Sequence, residues 1–129
     1  MPKQVLDVGN CAPDYAAIRD IVEKNFDARI VQAHLPADAL QAVRTQRPDL
    51  VLVNRKLDAD YSDGLAIIRQ IKSDPDLAAI PCMLVTNHEE HQQAAIEAGA
   101  ERGFGKLQFD DPSTLERLAK FLGTTVRNE

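Results

Sequence analysis

Residues Pro48 to Asp58 read PDLVLVNRKLD. A Pro-Asp pair launches Leu50–Val53, an unbroken Leu/Val run. A strand apolar on both faces belongs in a parallel sheet covered on both sides by helices. The run stops on Asn54, with Arg55 and Lys56 behind it. In open sheets of this kind, sites form beyond the carboxyl ends of the strands. A reactive side chain is expected there. An amide offers no carboxylate nucleophile and no strong metal ligand.

Working outward, similar runs recur at Gln4 to Val8, Arg29 to Ala33 and Pro81 to Val85, and in a short Gly-flanked stretch around Phe104. Helical spacing separates them. Pro13 opens a helix with Ile18, Ile21 and Val22 on one face. Asp14 sits in its first turn, favourable to the helix dipole. Pro36 and Asp38 open a second helix, with Leu40 and Val43 inward. Gly64 to Lys72 reads as a third through Leu65, Ile68 and Ile71. Glu89 to Ala98 reads as a fourth, stopped by Gly99. Asp111-Pro112 caps a fifth, on which Leu115, Leu118 and Leu122 share a face. Five strands alternating with five helices over short connections predict an α/β fold with a parallel sheet. The strand-end residues are then Gly9, Asn10, Asn54, Thr86 and Lys106.

The 129 residues fit one domain, 1–129, with a core of about 3–122 and a polar tail, 123–129, expected to fray. There is no Trp, so the core must be aliphatic. A net charge of -5 argues against a nucleic-acid grip, which needs a basic stripe. No run reaches the ~18–20 apolar residues of a membrane span, and the start lacks a signal peptide's apolar region. Cys11 and Cys82 have neither metal-ligand nor disulfide-framework spacing. The pattern places no His or Asp beside either one. A cytoplasmic domain without membrane contact is the expectation.

The order of these segments resembles the CheY-like receiver domain of bacterial response regulators. RPDLVLVN is similar to its third strand, SDGLAIIRQIK to its third loop and helix, and IPCMLVTN to its fourth strand. AGAERGFGK is similar to its fifth strand and terminal lysine. The resemblance implies a flavodoxin-like three-layer α/β/α sandwich, a sheet of order 2-1-3-4-5 and five helices. It also implies signalling in a two-component phosphorelay rather than enzymatic turnover. In such receivers an aspartate ending the third strand takes a phosphoryl group from phosphohistidine. Mg²⁺ is held by that aspartate and an acidic pair after the first strand. A hydroxyl and a lysine hold the phosphoryl oxygens.

Position by position, the resemblance places the acceptor on Asn54, the acidic pair on Gly9 and Asn10, the hydroxyl on Thr86 and the lysine on Lys106. Only the last two keep the family's chemistry. Hard cations want carboxylate oxygens, so Mg²⁺ binding is expected to be weak or absent, and no other cofactor is implied. Leu107 stands where receivers carry a cis proline. A non-proline cis bond costs about 2.5–4 kcal/mol, so a trans bond and a reshaped loop are expected. The switch aromatic falls on Gly103. Phe104 is displaced by one and should point to the other face. Asn54 reads as a polar strand end, with Lys106 predicted to bond its side-chain oxygen or turn outward. Thr86 and Lys106 are either relics bonded locally or an anion pocket.

These departures together predict a pseudo-receiver acting as a phosphorylation-independent interaction module. Its partner would be another protein, an adjacent effector domain or a second copy of the chain. The expected surface is Glu89–Ala98, Arg102–Gly105 and Pro112–Leu122, the fourth helix, fifth strand and fifth helix. Two alternatives stand beside it. One is phosphorylation at Asp7 or in the Asp58–Asp63 loop; the other is a small-ligand or anion sensor in the vacated pocket. Asp7 is a carboxylate inside the first strand; its pKa should rise if it is buried without a partner. DADYSDG, longer than the usual receiver loop and lacking its proline, fails the EF-hand pattern at its Gly and Glu positions. His88 and His91 are three apart, not four as a zinc helix needs. Both stretches read as solvated.

Overall fold

The computed structural model describes residues 2–126. Each apolar run becomes a strand: β1 (Lys3–Val8), β2 (Ala28–Ala33), β3 (Leu50–Asn54), β4 (Cys82–Val85) and β5 (Glu101–Phe104). They form one sheet of order β2-β1-β3-β4-β5, and all four pairings are parallel. Five helices connect and follow them: α1 (Ala12–Asn25), α2 (Pro36–Gln46), α3 (Gly64–Ser73), α4 (Glu89–Glu97) and α5 (Pro112–Leu122). This is the flavodoxin-like architecture expected from the sequence.

Side chains alternate across the sheet with period two. Val51, Val53, Cys82 and Leu84 join Val43 of α2, Ile68 of α3 and Ala95 of α4 in one apolar cluster. Leu50, Leu52, Met83 and Val85 join Ile18 of α1 and Leu118 of α5 in another. The two clusters make the sheet a middle layer, and β3 is buried at all five positions. Proline stands in the first turn of α1, α2 and α5. Asp63 and Asp111 cap α3 and α5 by accepting from Leu65 N and Ser113 N at 3.0 and 2.9 Å.

Some boundaries differ from the sequence reading. Pro81 lies outside β4: its carbonyl accepts Val51 N–H at 2.9 Å, but proline has no N–H to give the ladder. Beyond Gly123, Val126 N–H donates to Asn25 O at 2.7 Å. Residues 127–129 of that tail lie outside the described residues. The β4–β5 register slips between Met83↔Glu101 and Val85↔Phe104, so β5 is irregular around Arg102 and Gly103. Among the described residues no peptide bond is cis, and no helix is long and apolar enough to cross a membrane.

Candidate functional site

Asn54, Thr86 and Lys106 meet at the carboxyl edge of the sheet, around an open cavity of about 420 Å³. Asn54 is 9% exposed. Its Nδ2 donates to Lys56 O at 2.8 Å and more weakly to Gly9 O at 3.4 Å. The Thr86 hydroxyl oxygen accepts His88 N–H at 3.2 Å, at the entry to α4. Lys106 does neither of the things the sequence suggested. Its Nζ ion-pairs with Asp14 Oδ2 at 2.6 Å, in the first turn of α1. The reason is charge: a carboxylate within reach outcompetes a neutral amide for an ammonium. Cys11 Sγ donates to the same oxygen at 3.1 Å. The cysteine therefore does have an aspartate beside it, contrary to the sequence reading. Burial alone would raise the Asp14 pKa, but the bonds from Lys106 and Cys11 and the lysine's charge outweigh it and bring it below 3.8.

Gly9 and Asn10 follow β1 and do not line the cavity. Gly9 has φ +77°, in the left-handed region, and a Cβ built there would overlap the Leu57 side chain. Leu57 is fully buried, so the loop after β3 has closed over the position. The Gly9 carbonyl accepts Asp58 N–H at 2.9 Å, fastening that closure. Asn10 turns inward. Its Nδ2 donates to Asp7 Oδ1 at 2.5 Å, and its own Oδ1 is buried without a partner. Asp7 is wholly buried and also accepts Gln32 Nε2 at 2.8 Å. It thus faces a loop and the neighbouring strand, not the cavity. Burial raises its pKa to about 6, partly countered by the bonds from Asn10 and Gln32.

At the far edge, Gly103 N–H donates to Gln92 Oε1 at 2.9 Å. The Gln92 amide nitrogen donates to Leu84 O at 3.0 Å and Thr86 O at 3.3 Å. One buried glutamine of α4 thus clamps β4 to β5. A Cβ at Gly103 would overlap the Leu84 carbonyl oxygen, so this backbone admits no side chain there. Phe104 is buried on the opposite face, in the α1–α5 cluster, as the one-residue displacement predicts. Two arginines add further ties. Arg102 donates to both Glu89 oxygens, at 2.8 and 2.6 Å, and Arg117 donates to Gly103 O at 3.1 Å. Hydrogen bonds from Arg102 and Gln93 hold the Glu89 carboxyl down at about 2. After Gly105 the chain makes a single 3₁₀ turn, Lys106–Gln108, which leaves Leu107 87% exposed. The peptide bond before Leu107 is trans, as expected for a residue other than proline.

The acidic loop lies elsewhere. The backbones at Lys56 and Asp63 pair in an isolated antiparallel bridge, Asp60 accepts Ser62 N–H at 2.9 Å, and none of Asp58, Asp60 or Asp63 lines the cavity. Among the described residues no three His, Cys, Asp or Glu side chains are grouped to hold a metal. His88 and His91 pack edge to face at the start of α4, with ring centroids 5.5 Å apart. Sequence reasoning missed Asp14, Gln92 and Gln32 as parts of this edge. Gln92 carried a signal: it stands one turn before Ala95, on the inward face of α4.

Comparison with known proteins gives the same frame. The family model described as the response regulator receiver domain matches residues 12–121. A putative response regulator from Chloroflexus aurantiacus superposes with a TM-score of 0.83 at 19% identity, covering 95% of this chain and 98% of its own. The Mn(2+)-bound form of response regulator Rcp1 superposes with a TM-score of 0.75 at 19% identity, covering 99% and 100%. The BeF3-activated receiver domain of Klebsiella pneumoniae RstA gives 0.76 at 22% identity, covering 92% and 97%. No curated protein sequence matches.

Proposed function

The chain belongs to the response regulator receiver domain family, and on that premise we propose that it has given up phosphoryl transfer and works as a binding module held in one conformation. The observation that carries this reading is the state of the strand-end residues. Asn54 spends its amide on the Lys56 and Gly9 carbonyls, while Lys106 is engaged by Asp14. An amide carbon bears no nucleophilic oxygen comparable to a carboxylate. A lysine already paired has no acceptor carboxylate to follow when charge changes.

The donors present fit Mg²⁺ poorly. The ion takes near-octahedral oxygen ligands and relies on carboxylates. Here the acidic-pair positions offer Gly9, closed over by Leu57, and Asn10, turned toward Asp7. Asp7 itself is sealed from solvent by its own hydrogen bonds.

Two features support a fixed surface. Gln92 satisfies backbone groups of β4 and β5 at once. The Arg102–Glu89 and Arg117–Gly103 bonds then tie α4 and α5 to the same strand. We assign the partner surface to α4, β5 and α5, with another protein or an adjacent effector domain as occupant. The test is an amide NMR spectrum recorded alone, with Mg²⁺, and with Mg²⁺ plus beryllofluoride. Intact mass after incubation with acetyl phosphate accompanies it. Unchanged spectra and no phosphoryl adduct are expected. Saturable shifts spreading from Asn54 to α5, or a stable adduct, would sink the reading.

A further inference from the structure

A second cavity, of about 300 Å³, lies between the later half of α1 and the chain leading into α5, and shares no residue with the strand-end cavity. Ile21, Phe109 and Leu115 give it an apolar lining. Asp20, Asp110 and Asp111 set three carboxylates there against the one ammonium of Lys24. Lys24 is already paired with Asp20 at 2.9 Å. Among the described residues Asp110 and Asp111 take part in no ion pair. Two neighbouring concavities differ. The one along α1 is internally paired, Arg19 with Glu23 and Lys24 with Asp20. The one beside β5 sets Arg102, Arg117 and Lys120 against Glu101.

Asn25 supplies a second and independent observation. It lines the same cavity and is 8% exposed. Its Nδ2 donates to Ile21 O at 2.8 Å, which fixes the amide's orientation and leaves Oδ1 as an acceptor. Among the described residues that buried oxygen has no partner. Buried acceptors are nearly always paired, so the atom calls for a donor. It stands at the last residue of α1, where the helix dipole favours positive charge.

We infer that this cavity binds a linear organic amine, reversibly and in its ammonium form. An ammonium carries three donors and no acceptor, which suits the Asn25 oxygen and the Asp110 and Asp111 carboxylates together. A methylene stem lies against Ile21, Phe109 and Leu115, as the stem of a lysine lies on an apolar surface. The volume is at the lower end of small-molecule sites, roughly 300–1,000 Å³, and admits a diamine or a short polyamine. A bare metal cation would gain nothing from the apolar lining, and an anion would meet an excess of carboxylates. Because the site joins α1 to the start of α5, its occupant ties together two helices, one of them part of the partner surface assigned above. The inference is independent of whether the strand-end residues have lost phosphoryl transfer.

The test is a titration of the whole chain at neutral pH, followed by amide NMR that includes the Asn25 side-chain amide. 1,4-Diaminobutane and spermidine form separate arms. 1,4-Butanediol, the neutral isostere, and sodium chloride at matched ionic strength are the controls. Saturable shifts are expected at residues 20–25 and 109–115 with at least one of the two amines, and with neither control. Asp110→Asn should weaken binding roughly two- to fivefold, since it removes one exposed charge. Lys24→Gln should strengthen it, because a competing ammonium is removed. Both side chains are exposed, so these variants retain the fold. Asn25→Leu, which deletes the buried acceptor, should weaken binding roughly tenfold. Absence of saturation with both amines, shifts reproduced by butanediol or by salt, or affinities that Asp110→Asn and Lys24→Gln both leave unchanged would overturn the inference.

Discussion

Asp7 is the group whose energetics the structure specifies most fully. It is wholly buried, its carboxylate accepts from Asn10 and Gln32, and its pKa stands at about 6 against an ordinary 3.8. At about 1.4 kcal/mol per pH unit, ionised Asp7 costs the fold about 3 kcal/mol relative to the unfolded chain. The sign follows from proton binding. Between these two values the folded protein holds the proton more tightly than the unfolded chain, so stability falls as pH rises. Above about 6 the full penalty is present and the contribution is flat.

Asp7→Asn removes the ionisation and nearly keeps the shape. It also exchanges one acceptor for a donor facing two donors. Asn10 can relieve this by turning its amide so that its partnerless Oδ1 meets the new nitrogen, which then orphans its Nδ2 instead. That rearrangement has a cost independent of pH. The informative quantity is therefore the variant-minus-parent difference in unfolding free energy, measured by urea denaturation from about pH 4 to about pH 7.5. It should move in the variant's favour by about 2–3 kcal/mol across that range. Other titrating groups cancel in the difference. A difference that stays flat with pH would refute the assignment of a destabilising buried carboxylate to Asp7.

Three further outcomes are expected. Asn54→Asp sets a carboxylate against the Lys56 and Gly9 carbonyls, so it should lower stability by about 1–3 kcal/mol in denaturant. It should gain no phosphoryl mass from acetyl phosphate. Gln92→Leu leaves Gly103 N–H and two carbonyls without their partner and should cost about 1–3 kcal/mol. Amide hydrogen exchange should quicken in α4 and β5 together, and unchanged protection would refute the clamp. Asp14→Asn breaks a half-exposed ion pair and should cost about 0.5–1 kcal/mol at neutral pH after allowance for solvent screening. Because the folded Asp14 pKa lies below 3.8, this contribution is present above that value and lost as pH falls through the folded pKa. A melting series showing the variant's deficit growing toward low pH would contradict that sign.

What the sequence revealed depended on how local the signal was. β3 and β4 are legible because a doubly buried strand writes itself as consecutive Leu, Val and Met. α3 and α5 are legible because their inward residues recur at helical spacing. Asn54, Thr86 and Lys106 could be located because strand ends gather in such sheets. The Lys106–Asp14 pair could not, since it joins the two ends of the chain and depends on which of several carboxylates lies within reach. By residue type alone neither Gln92 nor Gln32 stands out in the sequence. The buried Gln92 and half-buried Gln32 are placed by polar groups on neighbouring strands. The conformation of Gly9 is likewise a tertiary matter: Gly-Asn after a strand signals a turn, but only the packing of Leu57 excludes a side chain.

These contacts bear on whether the unusual residues are isolated changes. At Gly9 the space a Cβ would need is taken by Leu57, and at Gly103 the Leu84 carbonyl stands where a Cβ would go, with Gln92 bonded to the strand on either side. Lys106, which could have been left unpaired, has a carboxylate on α1. Each of these three positions thus has a neighbour that fills or satisfies it. The neighbours come from different elements: the loop after β3, the strand and helix flanking β5, and the first turn of α1. An aspartate placed at position 54 alone therefore gains no acidic pair beside it. The loop carrying Leu57 would have to withdraw from Gly9 before an acidic pair could stand beside it.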